Sequence, residues 1–260
     1  HFLYHDYLAV ISLLEDFNPA KIKSHSTKPF CIAWARNWFD RWATAPGIEA
    51  YDLILASSES SVRYLRQKVN HPVELFPIAT NKERFYAPPQ PARLERDLCF
   101  TGSYWFHNRE LEAFINPSRL HKIRFDIFGS NWDKSPAFAP FWRGFVRYDQ
   151  LPSIYQQTRI VLDDANPTTK PFGAVNSRVF DAIAAGALVL TNGRVGANET
   201  FQGLLPSYES EDELHQLIDF YLENEDARVS KVLELQNLVL NNHTYTIRTK
   251  QLQQWILEKI

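Results

Sequence analysis

Apolar and polar positions alternate along this 260-residue chain in two patterns. Short continuous apolar runs are typical of strands that are buried on both faces of a parallel sheet. Between these runs, apolar residues recur at helical spacing. The apolar runs predict strands at 30–34, 52–56, 73–76, 97–101, 123–128, 159–162 and 187–191.

Helices are predicted in the segments between and after these strands, at 58–68, 149–157, 175–185, 210–222, 226–240 and 244–258. Gly186 follows the third of these as a helix C-cap glycine does. Ser210 and Glu213 form a Ser-x-x-Glu capping box. Because strands and helices alternate, the sequence predicts an α/β fold with parallel sheets and crossover helices.

One proline-rich segment predicts a domain boundary. Pro88, Pro89 and Pro91 lie close together, and neither a helix nor a central strand tolerates them. We therefore predict an N-terminal Rossmann-like domain over 1–86, a linker over 87–93, a C-terminal Rossmann-like domain over 94–242 and a final helix over 243–260. The two sheets are expected to face a cleft. The first domain is short for an α/β unit, so we expect it to be incomplete and residues to precede His1.

Composition narrows the class of partner. The formal net charge is −2, so the chain has no basic surplus for nucleic acid. Cys31 and Cys99 lie in apolar runs, which predicts buried free thiols and a cytoplasmic, reducing compartment. No apolar run approaches the ~20 residues of a membrane span. Peripheral association with a membrane is left open.

Two predicted strands of the C-terminal domain end in glycine, at Gly102 and Gly129. Ligands of open parallel sheets bind beyond the carboxyl ends of the strands, and glycine allows a ligand to come close. The alternative is that both are ordinary turn glycines. Their occurrence at two strand ends makes the two interpretations equally favoured.

The segment 172–181 is the strongest candidate for a binding site. Gly173 and Ala174 lead into the predicted helix 175–185, whose N-terminal amides suit a phosphate. Arg178 can pair with a diphosphate, and Asp181 can accept hydrogen bonds from ribose hydroxyls. The alternative is that Arg178 and Asp181, three residues apart, form a solvent-exposed ion pair.

Other candidate residues follow the same strand ends. Arg109, after the Gly102 turn, is a second candidate phosphate ligand or else a solvated arginine. Phe145 and Val146 form either an apolar wall for a base or part of the core. Asp163 and Asp164 end a predicted strand, but no Asp-x-Asp pair or His/Cys cluster accompanies them, so we favour a site without metal.

Tryptophans cluster after the first predicted strand, at Trp34, Trp38 and Trp42. Aromatic faces with interleaved Arg36, Asn37 and Asp40 suit sugar recognition. Simple packing in the core is the alternative.

A family resemblance is carried by 176–190, the segment Asn-Ser-Arg-Val-Phe-Asp-Ala-Ile-Ala-Ala-Gly-Ala-Leu-Val-Leu. It resembles the nucleotide-binding segment of GT-B glycosyltransferases, closest to the CgeB-like branch near glycosyltransferase family 4. Supporting segments occur in the expected order at 32–38, 52–59, 100–102, 144–146, 151–155 and 243–248.

The resemblance implies a GT-B fold of two Rossmann-like domains, with a UDP-, dTDP- or GDP-sugar in the C-terminal one. It implies sugar transfer to a glycan, protein or other acceptor, with no cofactor and no obligatory metal. Asp181 matches the ribose-binding acid, shortened from the usual glutamate. Arg178 and Arg109 fall where cations face the diphosphate, and 144–146 fall where the backbone meets the base. The final helix, 243–260, is expected to cross back to the N-terminal domain.

One position departs from the family pattern. Family 4 enzymes carry a glutamate eight residues before the ribose-binding acid, and this chain has Gly173 there. No catalytic residue is therefore assigned, and retention of configuration is only the family's usual outcome. A non-catalytic GT-B module that binds nucleotide or glycan, and a sugar-nucleotide epimerase of the same fold, are the alternatives.

Overall fold

The computed structural model describes residues 7–22, 28–88, 93–105, 109–120 and 122–258. In the first part of the chain the elements are β1 (Ala9–Ser12), β2 (Phe30–Ala35), α1 (Phe39–Ala43), β3 (Leu53–Ala56), α2 (Glu59–Arg66) and β4 (Val73–Leu75). The middle part contains β5 (Arg96–Thr101), α3 (Glu110–Phe114), β6 (Phe125–Phe128), α4 (Leu151–Gln156) and β7 (Thr158–Asp163). The last part contains α5 (Ser177–Ala184), β8 (Leu188–Thr191), α6 (Arg194–Phe201), α7 (Glu211–Glu223), α8 (Glu225–Asn242) and α9 (Tyr245–Leu257).

Short 3₁₀ turns connect several of these elements. They are Pro19–Lys21, Ile48–Ala50, Pro117–Leu120, Trp132–Lys134, Ala139–Phe141, Tyr148–Gln150 and Lys170–Phe172.

The chain forms two compact units, and each contains one parallel sheet. The first unit comprises the described residues of 1–78, 166–175 and 246–260, and the second those of 79–165 and 176–245. In the described residues the strand order is β1-β2-β3-β4 in the first sheet and β6-β5-β7-β8 in the second. The predicted α/β class and parallel pairing are confirmed.

These units differ from the predicted domains in two segments. Residues 79–86 belong to the second unit, where Thr80 pairs with Thr244 in an isolated parallel bridge. Residues 166–175 belong to the first unit, because Ala174 and Phe172 join its core. Residues 89–92 of the predicted linker lie outside the described residues.

Alternation along β2 explains the packing of the first sheet. Cys31, Ala33 and Ala35 face one buried cluster, which includes Trp42. Ile32 belongs to a second cluster, against which Trp255 of α9 packs. Both faces of the strand are therefore covered, as its continuous apolar sequence predicts. Cys31 and Cys99 are buried and free, as predicted.

Every predicted strand is observed within two residues of its predicted ends, and β1 is an addition. Only four residues form β1, so their pattern is too short to predict a strand. It pairs with β2 at the edge of the sheet.

The helix caps follow local chemistry. α5 begins later than predicted because the Asn176 side chain caps it, accepting from the Arg178 amide at 3.0 Å. Gly186 follows its end with φ of 97°, as predicted. Ser210 caps α7 by accepting from the Glu213 amide. In a capping box the Glu213 carboxylate would accept from the Ser210 amide. Here it accepts from the Glu209 amide at 2.8 Å, so only one of the two predicted capping-box bonds forms.

Candidate functional site

The turns after β5 and β6 lie against each other. The Gly102 amide donates to Phe128 O at 2.8 Å, and a Cβ on Gly129 would overlap the Gly102 carbonyl. A Cβ on Gly102 would lie 2.9 Å from Nη2 of Arg178. The backbone contact at Gly129 therefore requires glycine, whereas the atom nearest to a Cβ on Gly102 is the far end of an arginine side chain. That the two glycines also allow a ligand to come close stays a prediction. Trp132 and Trp142 donate to the carbonyls of Gly102 and Gly129, each at 2.7 Å, and fix both turns.

Arg178, near the start of α5, reaches the carboxyl ends of β5 and β7. Its Nη1 pairs with Asp163 Oδ1 at 2.8 Å, and its Nε donates to Thr101 O at 2.6 Å. Its side chain is only 13% exposed. Within the described part of the chain, Nη2 has no hydrogen-bond partner, so it is available to a ligand beside Gly102.

Arg109 is the N-cap residue of α3 and reaches the same strand ends. Its Nη1 pairs with Asp164 Oδ2 at 3.3 Å, and its Nε donates to Ser103 O at 3.1 Å. The side chain is 14% exposed, so the alternative of a solvated arginine is wrong. Burial, and then the charge of Arg178, lowers the pKa of its guanidinium.

The two arginines converge on one aromatic ring. The guanidinium carbons of Arg178 and Arg109 lie 4.6 Å and 5.4 Å from the centroid of Phe100. Like charges repel, so the buried carboxylates of Asp163 and Asp164 are needed to hold both cations there. The result is a pair of rigid cationic donors at a strand-end edge, a geometry suited to a diphosphate.

Asp163 and Asp164 are the ion-pair partners of the two arginines, whereas the sequence pattern suggested them only as candidate metal ligands. Their position as consecutive acids at a strand end was the available signal. Asp163 also accepts from Asn176 Nδ2 at 2.5 Å and from Thr191 Oγ1 at 2.7 Å. In the described residues, no three His, Cys, Asp or Glu side chains form a metal-ligand group.

Asp181 lies one turn further along α5 and is 3% exposed. Its Oδ1 accepts from Thr80 Oγ1 at 2.7 Å. Burial raises the pKa of the carboxyl to about 7, although the Thr80 hydrogen bond and Arg84 lower it. The alternative of an exposed ion pair with Arg178 is wrong, because residues 179–184 are buried on all sides of the helix.

The remaining predicted site residues lie elsewhere. Phe145 is exposed and Val146 is partly buried in the segment after Gly144, so the alternative of core packing is wrong for Phe145. Gly173 and Ala174 belong to the first unit. Gly173 ends a 3₁₀ turn with φ of 69°, and Ala174 is buried in the core of that unit.

The tryptophan cluster of the first unit divides by role. Trp42 is fully buried in the core, which agrees with the alternative of simple packing for this residue. Trp34 donates to Phe76 O at 3.0 Å. Trp38 is partly exposed, has φ of 51°, and carries the guanidinium of Arg41 at 4.0 Å from its ring centroid.

Sequence comparison identifies the family. The model of a family described as glycosyl transferase-like matches residues 109–254, which include Arg109, Arg178 and Asp181. The chain belongs to this glycosyl transferase-like family. A comparison with curated proteins finds no match. The CgeB-like branch stays a prediction.

Solved structures with the same fold are distant in sequence. The E. coli trehalose-6-phosphate protein bound with UDP-2-fluoro glucose has a TM-score of 0.68 at 12% identity, covering 93% of this chain and 70% of that one. Sucrose-phosphate synthase from Thermosynechococcus elongatus has a TM-score of 0.65 at 10% identity, covering 90% and 68%. Anabaena HepE in complex with UDP and glucose has a TM-score of 0.65 at 10% identity, covering 89% and 72%.

The protein has the GT-B fold, as predicted. Across the described ranges, none of its helices combines the length and apolar character that crossing a membrane requires.

Proposed function

We propose that this glycosyltransferase moves a sugar from a nucleoside diphosphate-sugar to an acceptor, with Arg178 and Arg109 binding the diphosphate. The convergence of both guanidiniums on Phe100 is the observation that carries the proposal. Similar folds bound with UDP and UDP-sugars support this class of donor. The acceptor is a glycan, a protein or another hydroxyl-bearing molecule.

The site stabilises the leaving group by charge. As the sugar–phosphate bond breaks, negative charge grows on the diphosphate. Arg178 Nη2 and Arg109 are prearranged to receive it. These donors supply the charge stabilisation that a bound metal provides in other enzymes. We therefore propose a metal-independent reaction.

Turnover with and without chelator tests this mechanism. We expect release of UDP, dTDP or GDP from the matching sugar donor to continue unchanged in EDTA. Complete loss of turnover that Mg²⁺ restores would contradict it. The assay requires a screen of sugar donors with and without candidate acceptors.

A non-catalytic binding module is the second candidate, and Gly173 favours it. Gly173 offers no side chain to a donor sugar, and its positive φ disfavours any residue that has one. Nucleotide binding without hydrolysis or transfer from any donor would support this module. Release of an altered sugar without acceptor would instead indicate an epimerase.

A further inference from the structure

Thr80 is a residue outside the family-matched segment that contacts the proposed ribose-binding acid. Its side chain is fully buried, and its Oγ1 donates to Asp181 Oδ1 at 2.7 Å. The two residues are 101 positions apart in the chain, so no local helix geometry places them together.

The backbone of Thr80 is held on both sides. Its amide donates to His243 O at 3.0 Å, and its carbonyl accepts from the Tyr245 amide at 2.9 Å. These bonds fix where the hydroxyl lies relative to α5. Thr80 is therefore a rigid support for the carboxyl group and not a mobile side chain that contacts it by chance.

The hydrogen bond makes the two carboxyl oxygens of Asp181 unequal. A threonine hydroxyl has one proton to donate, and here Oδ1 receives it. Among the residues that the structure describes, no donor reaches Oδ2. The carboxyl plane is held by one oxygen while the other remains for a donor from outside the protein.

We propose that Thr80 is a positioning residue that fixes Asp181 so that Oδ2 binds one ribose hydroxyl of the nucleotide. This inference rests on the proposed function, because it takes the ligand to be a nucleoside diphosphate. It adds a specificity: one of the two ribose hydroxyls contributes more to affinity than the other.

Charged and titratable groups around Asp181 set the background for the test. Arg84 favours the ionised carboxyl, and its guanidinium also lies 5.0 Å from the ring centroid of Tyr148. Tyr148 and Tyr155 also interact electrostatically with Asp181. Phenols are neutral at pH 7, and burial raises the pKa of both further above the ordinary value of 10. The Thr80 hydroxyl is the one direct hydrogen-bond donor to Asp181 in the described residues.

The first experiment measures the pKa of Asp181 by carboxyl carbon-13 NMR without any ligand. Thr80→Val removes a bond that favours the ionised form, so we expect the pKa to rise above its wild-type value. Thr80→Ser keeps a hydroxyl and should restore it. An unchanged pKa in Thr80→Val overturns the proposal.

Thr158→Val is the matched control. Thr158 is as buried as Thr80 and its hydroxyl also makes a 2.7 Å bond, but to the backbone oxygen of Ile154. It should leave both the pKa of Asp181 and nucleotide affinity unchanged.

The second experiment measures affinity by calorimetry for UDP, GDP and ADP and for their 2′-deoxy and 3′-deoxy analogues. Thr80→Val should weaken the preferred ribonucleotide about tenfold. In the wild type, we expect removal of one of the two ribose hydroxyls to weaken binding more than removal of the other. Thr80→Val should reduce this larger loss of affinity. Thr80→Ser should restore both the affinity and the difference between the two deoxy analogues. An equal loss for ribo and deoxy forms would indicate a structural effect and overturn the proposal.

A double variant tests whether Thr80 acts on nucleotide affinity through Asp181. In an Asp181→Ala background, Thr80→Val should have no further effect on affinity, because Thr80 acts through the carboxyl. If the wild-type protein binds none of these nucleotides, the proposed function fails. The NMR titration then still decides whether Thr80 controls Asp181.

Discussion

At the scale of residues, the candidate site is a set of buried charges that hold one another in place. Arg178 depends on Asp163, and Arg109 depends on Asp164. An unpaired charge at this depth costs several kcal/mol, so each partner is needed before any ligand arrives. Asp181 is the exception, since its nearest donor is a neutral hydroxyl.

Asp181 therefore predicts a pH-dependent stability. Its pKa is about 7 in the folded protein against an ordinary 3.8, so the folded state binds the extra proton between these values. The unfolding free energy should fall as pH rises from about 4 to 7, by at most about 4 kcal/mol from this group. Asp181→Asn keeps an acceptor for Thr80 but cannot ionise.

Urea denaturation of both proteins across pH 5 to 8 checks this. The variant should gain stability relative to the wild type as pH rises, and the difference should level off above pH 7. A constant difference across the range would show that Asp181 titrates normally.

At the scale of elements, the site depends on the contact between the turns after β5 and β6, and Gly129 is the position where that contact requires glycine. Gly129 has φ of 147°, and a Cβ there would overlap the Gly102 carbonyl and lie 2.9 Å from the Ser103 amide. Gly144 also has positive φ, at 89°, but a Cβ there would meet nothing within 4 Å. Comparing substitutions at Gly129 and Gly144 therefore distinguishes the cost of steric overlap from the cost of backbone strain.

Gly129→Ala should lower the unfolding free energy by about 3 kcal/mol, since it combines backbone strain with overlap. Gly144→Ala should lower it by about 1 kcal/mol, from strain alone. Urea midpoints of the two variants measure the difference. Equal losses of unfolding free energy in the two variants would mean that the turns after β5 and β6 do not pack as described.

The elements were largely predictable from sequence, and the contacts of the site were not. The strands could be predicted because a strand that is buried on both faces consists of a continuous run of apolar residues. The sequence left open whether Asp181 is exposed to solvent, but α4, α8 and β8 pack against α5, and Asp181 is buried. Partners such as Thr80 and Asp163 are set by tertiary packing, which one sequence does not display.

At the scale of the whole molecule, the family match and the GT-B fold agree with the site. The matched segment 109–254 contains Arg109, Asp163, Asp164, Arg178 and Asp181. All five belong to the second unit. The donor-binding function that we propose therefore depends on one sheet and the helices that pack on it.

Nucleotide affinity in two arginine variants tests this account most directly. Arg178→Ala removes a predicted diphosphate ligand. Arg96→Ala is a close match, because Arg96 is 15% exposed, pairs with Asp126 at 2.9 Å and lies 5.3 Å from the Phe128 ring centroid. Arg96, however, begins β5 and so lies at the end of that strand opposite to the proposed site.

Calorimetric titration with UDP, dTDP, GDP and their sugars provides the measurement. Loss of a charge-assisted contact costs about 1–3 kcal/mol, so Arg178→Ala should bind the preferred nucleotide about 5- to 150-fold more weakly. Arg96→Ala should bind it as the wild type does. Unchanged affinity in Arg178→Ala, or an equal loss in both variants, would contradict the proposed donor site.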